Sequence, residues 1–357
     1  MTARSVGAAQ IVTAVAAAIA LIHFLASILI PLVIAFVLAV LVNALVRFIQ
    51  NRWAAAPSWV VSLLAGLLVI LAASAGIFVM TQGASQIVSE GPALLNRLDE
   101  IAVGLGHSLR LSEPLHLSAV AGKVSVAEVA GFVLSGIQGL LSGLLLMVVY
   151  FGFMLAGRKR ISSKVENIAG SSARAKPIKD TVKRIASNIE TYVWVQTITG
   201  IMLTVAAVVV MLAVGLDNVL FWAVIFFLLT FIPNIGVTVG SIAPSLFALI
   251  QFPTVWQAIT IFVVIQVAAT VVGNFIYPRL QAQTQNIDPV ATLLSLAFWS
   301  WLWGLPGAFL AVPMTLMSMM VFAQFESTAW VAAMLSNDGK PLFEKARSAA
   351  AREKPLR

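Results

Sequence analysis

The segment FIPNIGVTVGSIAP, Phe231 to Pro244, lies inside an uncharged run that extends from Asn218 to Pro278. Such a run reads as membrane helix, yet the segment carries two prolines, two glycines and an asparagine. Proline removes a backbone donor and crowds the preceding turn. In hydrocarbon no water replaces the lost hydrogen bond, so broken backbone is tolerated only inside protein or against an aqueous cavity. The segment therefore predicts a sheltered turn that marks a pathway.

Working outward, 60% of the 357 residues are hydrophobic and only 10% are charged, and the mean hydropathy is +0.99. Spanning a hydrocarbon core of ~30 Å takes roughly 20 apolar residues. Apolar runs fall at 8–29, 31–46, 59–81, 132–156, 191–215, 219–250, 255–277 and 289–325. The fold class is an all-α polytopic membrane protein with no room for a large soluble catalytic domain. The absence of cysteine excludes disulfides and thiolate metal sites. The net charge of +8 is carried largely by loops and the tail, where it reads as a topology signal rather than a nucleic-acid surface.

Loop charge sets the predicted orientation. Arg47 and Arg52, the basic stretch 158–184, Arg279 and the tail are cytoplasmic by the positive-inside rule, with both termini inside. Segment 82–131, with more acidic than basic residues, is extracytoplasmic and contains an amphipathic stretch. If 219–250 crossed once, Arg279 and the basic tail would be stranded outside. The conflict disappears if 219–250 enters from outside, turns at Pro233–Gly236 and leaves on the same side. Likewise 289–325 enters from inside and turns within WGLPGAFLAVP, Trp303 to Pro313. The expected architecture is about six full spans plus two opposed re-entrant hairpins. Its parts are spans 1–3 (1–81), the outer segment (82–131), span 4 (132–156), a basic cytoplasmic helical segment (157–190), a transport core (191–325, with copies 191–250 and 255–325) and a cytoplasmic tail (326–357).

The two hairpins read as an internal repeat. Gln196 and Gln266 are 70 residues apart, Asp217 and Asp288 71, Pro233 and Pro306 73, and Pro244 and Pro313 69. One copy enters from each face, so the repeat is inverted. That arrangement in secondary transporters places a substrate between broken helices near the midplane. Gly236, Gly240 and Gly307 complete the predicted turns.

No nucleotide-binding loop, metal-ligand spacing or nucleophile–base pair is present, and His23, His107 and His116 are scattered. The chain is expected to be no enzyme and to need no cofactor or metal. Residues 218–278 and 289–325 hold no Asp, Glu, Lys, Arg or His. Ion pumps usually place a carboxylate in the membrane, so a neutral hydrogen-bonding solute is favoured. The predicted pathway groups are Gln196, Thr199, Asn234, Gln266, Thr270 and Asn274, which otherwise serve as helix–helix glue. Asp217 and Asp288 are candidates for ion coupling or simple helix N-caps. Trp299, Trp301 and Trp303 read as a packing wall or as stacking surfaces for a solute.

YVWVQTITGI, FIPNIGVTVGSIAP, NFIYPRL and DPVATLLSLAFWSWLWGLPGAFLAVP together resemble the autoinducer-2 exporter (AI-2E) family of bacterial permeases. Phe298, Trp299, Trp301 and Leu302 resemble its exporter branch. Relatives often carry glycine soon after the Pro-Arg pair, where this chain reads Leu280-Gln281-Ala282-Gln283. The resemblance implies a multi-pass protein of the bacterial cytoplasmic membrane exporting a small quorum-sensing solute. It also implies a homo-oligomer, with a pentamer as the first candidate, in contact with membrane lipids and not nucleic acid. Sodium (lithium)/proton antiport and a non-transporting membrane scaffold are the alternative readings.

Overall fold

The computed structural model describes residues 3–52, 58–108, 143–154, 156–157, 163–233, 235–281 and 286–339. Among them every regular element is helical. In chain order these are α1 (Ala3–Phe24), α2 (Ala26–Arg52) and α3 (Ser58–Ser108), α4 (Gly143–Met154) and α5 (163–169). There follow α6 (Ser172–Val214), α7 (Val219–Thr230), α8 (Gly236–Gln251), α9 (Trp256–Val271), a five-residue π turn (Val272–Ile276), α10 (Tyr277–Gln281), α11 (Pro289–Phe322) and α12 (Ala329–Leu335).

Among the described residues five stretches are long and apolar enough to cross a membrane: Ala26–Arg47, Leu63–Gly83, Ile178–Val214, Trp256–Leu280 and Pro289–Phe322. The chain is thus a multi-pass membrane protein. At 51 residues, α3 runs about 77 Å at 1.5 Å per residue; α6, with 43 residues, runs about 64 Å. Both far exceed a ~30 Å hydrocarbon core. The sequence boundaries at 81/82 and 190/191 therefore fall within unbroken helices. Of the fourth expected span only part is described, and residues 109–131 of the outer segment lie outside the described residues.

The described residues divide into two compact units, one drawn from 1–56, 142–193 and 284–357, the other from 57–141 and 194–283. In the first, α1 packs on α2, and α2 and α12 pack on α11. Arg47 at the end of α2 forms an ion pair with Glu190 of α6. In the second, α8 packs on α7 and α9, and α3 lies against α7 and α8.

The second unit's core follows from helical spacing. Leu203, Ala207, Val210 and Met211 recur at i, i+4, i+7 and i+8, which is one face of α6. They meet Phe221, Trp222 and Phe226 of α7, Phe247 and Ala248 of α8, and Ile261 and Ile265 of α9. Trp222 sits edge-on to Phe221 at 5.0 Å and tilted to Phe247 at 5.4 Å. Outward faces are equally apolar, with Val205, Val209 and Leu212 of α6 and Val263, Val267 and Val271 of α9 exposed. Lipid tails are as apolar as these side chains, so burial against protein gains little hydrophobic free energy. Packing contacts and hydrogen bonds hold the helices together instead.

Candidate functional site

At 12 and 16 residues, α7 and α8 extend about 18 and 24 Å. They form a helical hairpin, and its turn is closed by backbone contact. Leu229 O, which proline at 233 cannot bond, accepts from the Ile232 amide at 2.9 Å. A Cβ added at Gly236 would stand 1.7 Å from that same oxygen, so only glycine permits the approach. Gly240 is buried against the Phe226 ring. Pro244, also buried, lies within α8, where Ser241 Oγ donates to Thr238 O and Ser245 Oγ to Ser241 O, both at 2.8 Å.

Gln196 of α6 reaches this turn. Its Nε2 donates to Thr230 O at 2.5 Å, in the last turn of α7 where carbonyls lack intrahelical donors. Thr199 is buried, and its hydroxyl donates to Val195 O at 2.9 Å. Asn234, the residue expected at the tip, lies outside the described residues.

The base of the hairpin is clamped by a residue that the sequence reading passed over. Gln251, the last residue of α8, donates through Nε2 to Gly215 O and accepts through Oε1 from the Asp217 amide, both at 2.8 Å. The start and end of the hairpin are thereby tied together. Asp217 does not cap α7, as one of its two sequence readings had it. The cap position is Asn218, in the left-handed conformation (φ 55°, ψ 32°) and without a side-chain cap bond. The exposed Asp217 contributes its backbone amide instead.

Asp288 does cap. Its Oδ1 accepts from the amides of Val290 at 2.8 Å and Ala291 at 3.2 Å. The helix it opens, α11, breaks at Gly304 (φ 65°, ψ −142°), a combination essentially restricted to glycine. Beyond the break the chain folds back. Trp299 Nε1 donates to Thr315 Oγ1 at 3.3 Å, whereas 16 residues of continuous helix would separate them by about 24 Å. A Cβ at Gly307 would stand 1.8 Å from Trp299 O, repeating the closure seen at Gly236. Pro306 is half-buried and Pro313 buried within the second arm. The Asp288 amide donates to Leu335 O at 3.0 Å and the Asn337 amide to Asn286 O at 3.4 Å, so the start of this hairpin is tied to the end of α12.

Leu302 O, four residues before Pro306, is met by His23 Nδ1 of α1 at 2.7 Å. Trp299 and Trp303 are buried, while Trp301 is 71% exposed; two of the three tryptophans are therefore packing residues.

Gln266, Thr270 and Asn274 recur every four residues along α9 and its π turn. Gln266 is half-buried and the other two are exposed. Thr270 Oγ1 donates to Gln266 O at 2.8 Å. Asn274 sits in the π turn, a distortion that recurs at functional sites. The structure thus brings Gln196 to the first hairpin, leaves the Thr199 hydroxyl bonded within α6, and sets Gln266, Thr270 and Asn274 in a line on another helix. Among the described residues no His/Asp/Glu cluster fit for a metal ion occurs. The chemistry on offer is hydrogen bonding by amides.

Comparison with known proteins bears on the same residues. The profile of the AI-2E family transporter matches residues 12–327. "AI-2 transport protein TqsA" of Escherichia coli (strain K12) is 25% identical over 333 residues, covering 89% of this chain and 92% of that protein. "Putative transport protein YhhT" of the same strain is 25% identical over 307 residues, covering 82% and 84%. Both hairpins and the amide line fall inside the matched region, and this multi-pass chain belongs to the AI-2E family of transporters.

Proposed function

We propose that this chain exports a small, neutral, hydrogen-bonding solute across the bacterial cytoplasmic membrane, with autoinducer-2 the favoured solute. The observation that carries the reading is the pairing of broken, protein-sheltered helices with amides and no Asp, Glu, Lys, Arg or His across 218–278 and 289–325. Amides offer both a donor and an acceptor, which suits hydroxyl and carbonyl groups and gives a bare cation no countercharge. TqsA, similar along most of its length, carries AI-2 transport in its name.

In the proposed mechanism the two hairpins are re-entrant, open to opposite faces and form an inverted repeat. Loop charge and the near-constant offsets of Gln196/Gln266 and Pro233/Pro306 along the chain support this reading. The Arg47–Glu190 pair marks one face for the end of α2 and the start of the α6 span, which the positive-inside rule makes cytoplasmic. The hairpins, moving against the N-terminal spans, expose Gln196, Asn234, Gln266 and Asn274 alternately to either side. A homo-oligomer, with a pentamer as the first assembly to test, completes the proposal.

Flux in proteoliposomes tests it. Vesicles holding the purified protein should release autoinducer-2 faster than empty vesicles, with no dependence on a sodium or proton gradient. Equal release from both sinks the export reading. Release that needs such a gradient makes the export secondary rather than facilitative, and sodium–proton exchange without release favours antiport.

A further inference from the structure

The end of α1 and the break in α11 exchange hydrogen bonds. His23 Nδ1 meets Leu302 O at 2.7 Å, and Trp303 Nε1 donates to Ile22 O at 3.2 Å. Each carbonyl is one that its own helix cannot serve. Leu302 O lies just before the break at Gly304, where the arm's own donors run out, and residue 306 is a proline with no amide to give. Ile22 O lies in the last turn of α1, where intrahelical donors run out. We infer that His23 and Trp303 form a two-way latch fastening α1 to the break of the second hairpin, so that α1, unlike the other N-terminal spans, moves with the hairpin as part of the transport machinery.

The contact with His23 requires a proton on Nδ1. Imidazolium and the Nδ1–H form of the neutral ring both donate, and the Nε2–H form does not. Indole has only its N–H to give, so the second bond has a fixed direction. Trp303 passes the attachment inward: its ring lies 5.3 Å from that of Trp299, which bonds Thr315 in the returning arm. The attachment thus reaches both arms across the Gly304 break. His23 and Trp303 are positioning residues, acting through the hairpin rather than on a solute. The inference adds to the transport reading without needing a solute for its test.

Hydrogen–deuterium exchange of the full-length protein in nanodiscs reads the latch directly. His23→Leu removes one donor and keeps an apolar side chain; Trp303→Phe removes the other and keeps an aromatic ring against Trp299. Each is expected to speed exchange at residues 300–308 by about three- to tenfold, the range set by loss of one net hydrogen bond. His23→Asn, whose Nδ2 takes the place of Nδ1, should restore slow exchange. Unchanged exchange at 300–308 in both donor-less variants overturns the latch. So does acceleration spread evenly through α2 and α11, which would make these ordinary packing residues. Because exchange is measured without solute, a protein that fails the flux assay can still show the latch, and an unlatched one can still pass it.

Discussion

Gln196 donates its side-chain amide to the carbonyl of Thr230, 34 residues further along the chain, at 2.5 Å. One bond thereby joins a long span to the last turn of a hairpin's first arm. Gln196→Leu removes that donor and is expected to lower stability by about 1–3 kcal/mol. Thermal unfolding in detergent should show a lower midpoint, and exchange at residues 228–237 should quicken. Gln196→Glu, an acceptor when ionised, should fare no better than leucine. Wild-type exchange in either variant would mean that the bond does not hold the turn.

Glycine substitutions should divide sharply. A Cβ at Gly236 or Gly307 would lie 1.7 or 1.8 Å from a backbone oxygen, and backbone cannot swing aside as a side chain can. Gly236→Ala and Gly307→Ala are expected to abolish the folded species in size-exclusion chromatography. Gly273→Ala meets nothing within 4 Å. It should fold normally and gain up to about 1 kcal/mol from helix propensity.

Asp288 separates capping from ion coupling. Asparagine caps a helix about as well as aspartate, whereas alanine costs about 1 kcal/mol. Asp288→Asn should retain flux and stability, and Asp288→Ala should lose stability by that amount. Flux abolished by Asp288→Asn with the unfolding midpoint unchanged would revive the antiport reading.

Gln251 is the clamp whose loss should free the base of the first hairpin. Gln251→Ala removes both the bond to Gly215 O and the bond from the Asp217 amide. Limited proteolysis of nanodisc-embedded protein should then cut at 215–218 at least several-fold faster. Gln251→Glu keeps the acceptor and loses the donor, and should fall between the two. Equal cleavage of all three proteins rules the clamp out.

The helical, many-span character was legible because apolar run length and loop charge report directly on hydrocarbon. The breakers at Pro233 and Pro306 located both breaks to within a few residues. They could not say which residue takes the strained dihedral, and that residue is Gly304, just ahead of the proline. Gln196 was found because an amide alone in an apolar span must find a partner. The contact of His23 with Leu302 O was not legible, because a histidine scattered from the other two gives no sign of the distant carbonyl it meets. Gln251 carried no signal beyond its place at the end of an apolar run, because a clamp between helix and loop depends on which ends meet in space.

At 12 residues, α7 reaches about 18 Å and cannot settle across hydrocarbon by itself as the chain leaves the ribosome. Its partners for burial come from both directions: α6 and α3 are already synthesised, while α8 and α9 are not. The 33 residues from Val219 to Gln251 therefore reach their native packing as one piece, and only once the side chain of Gln251 is there for the loop at 215–217 to close on.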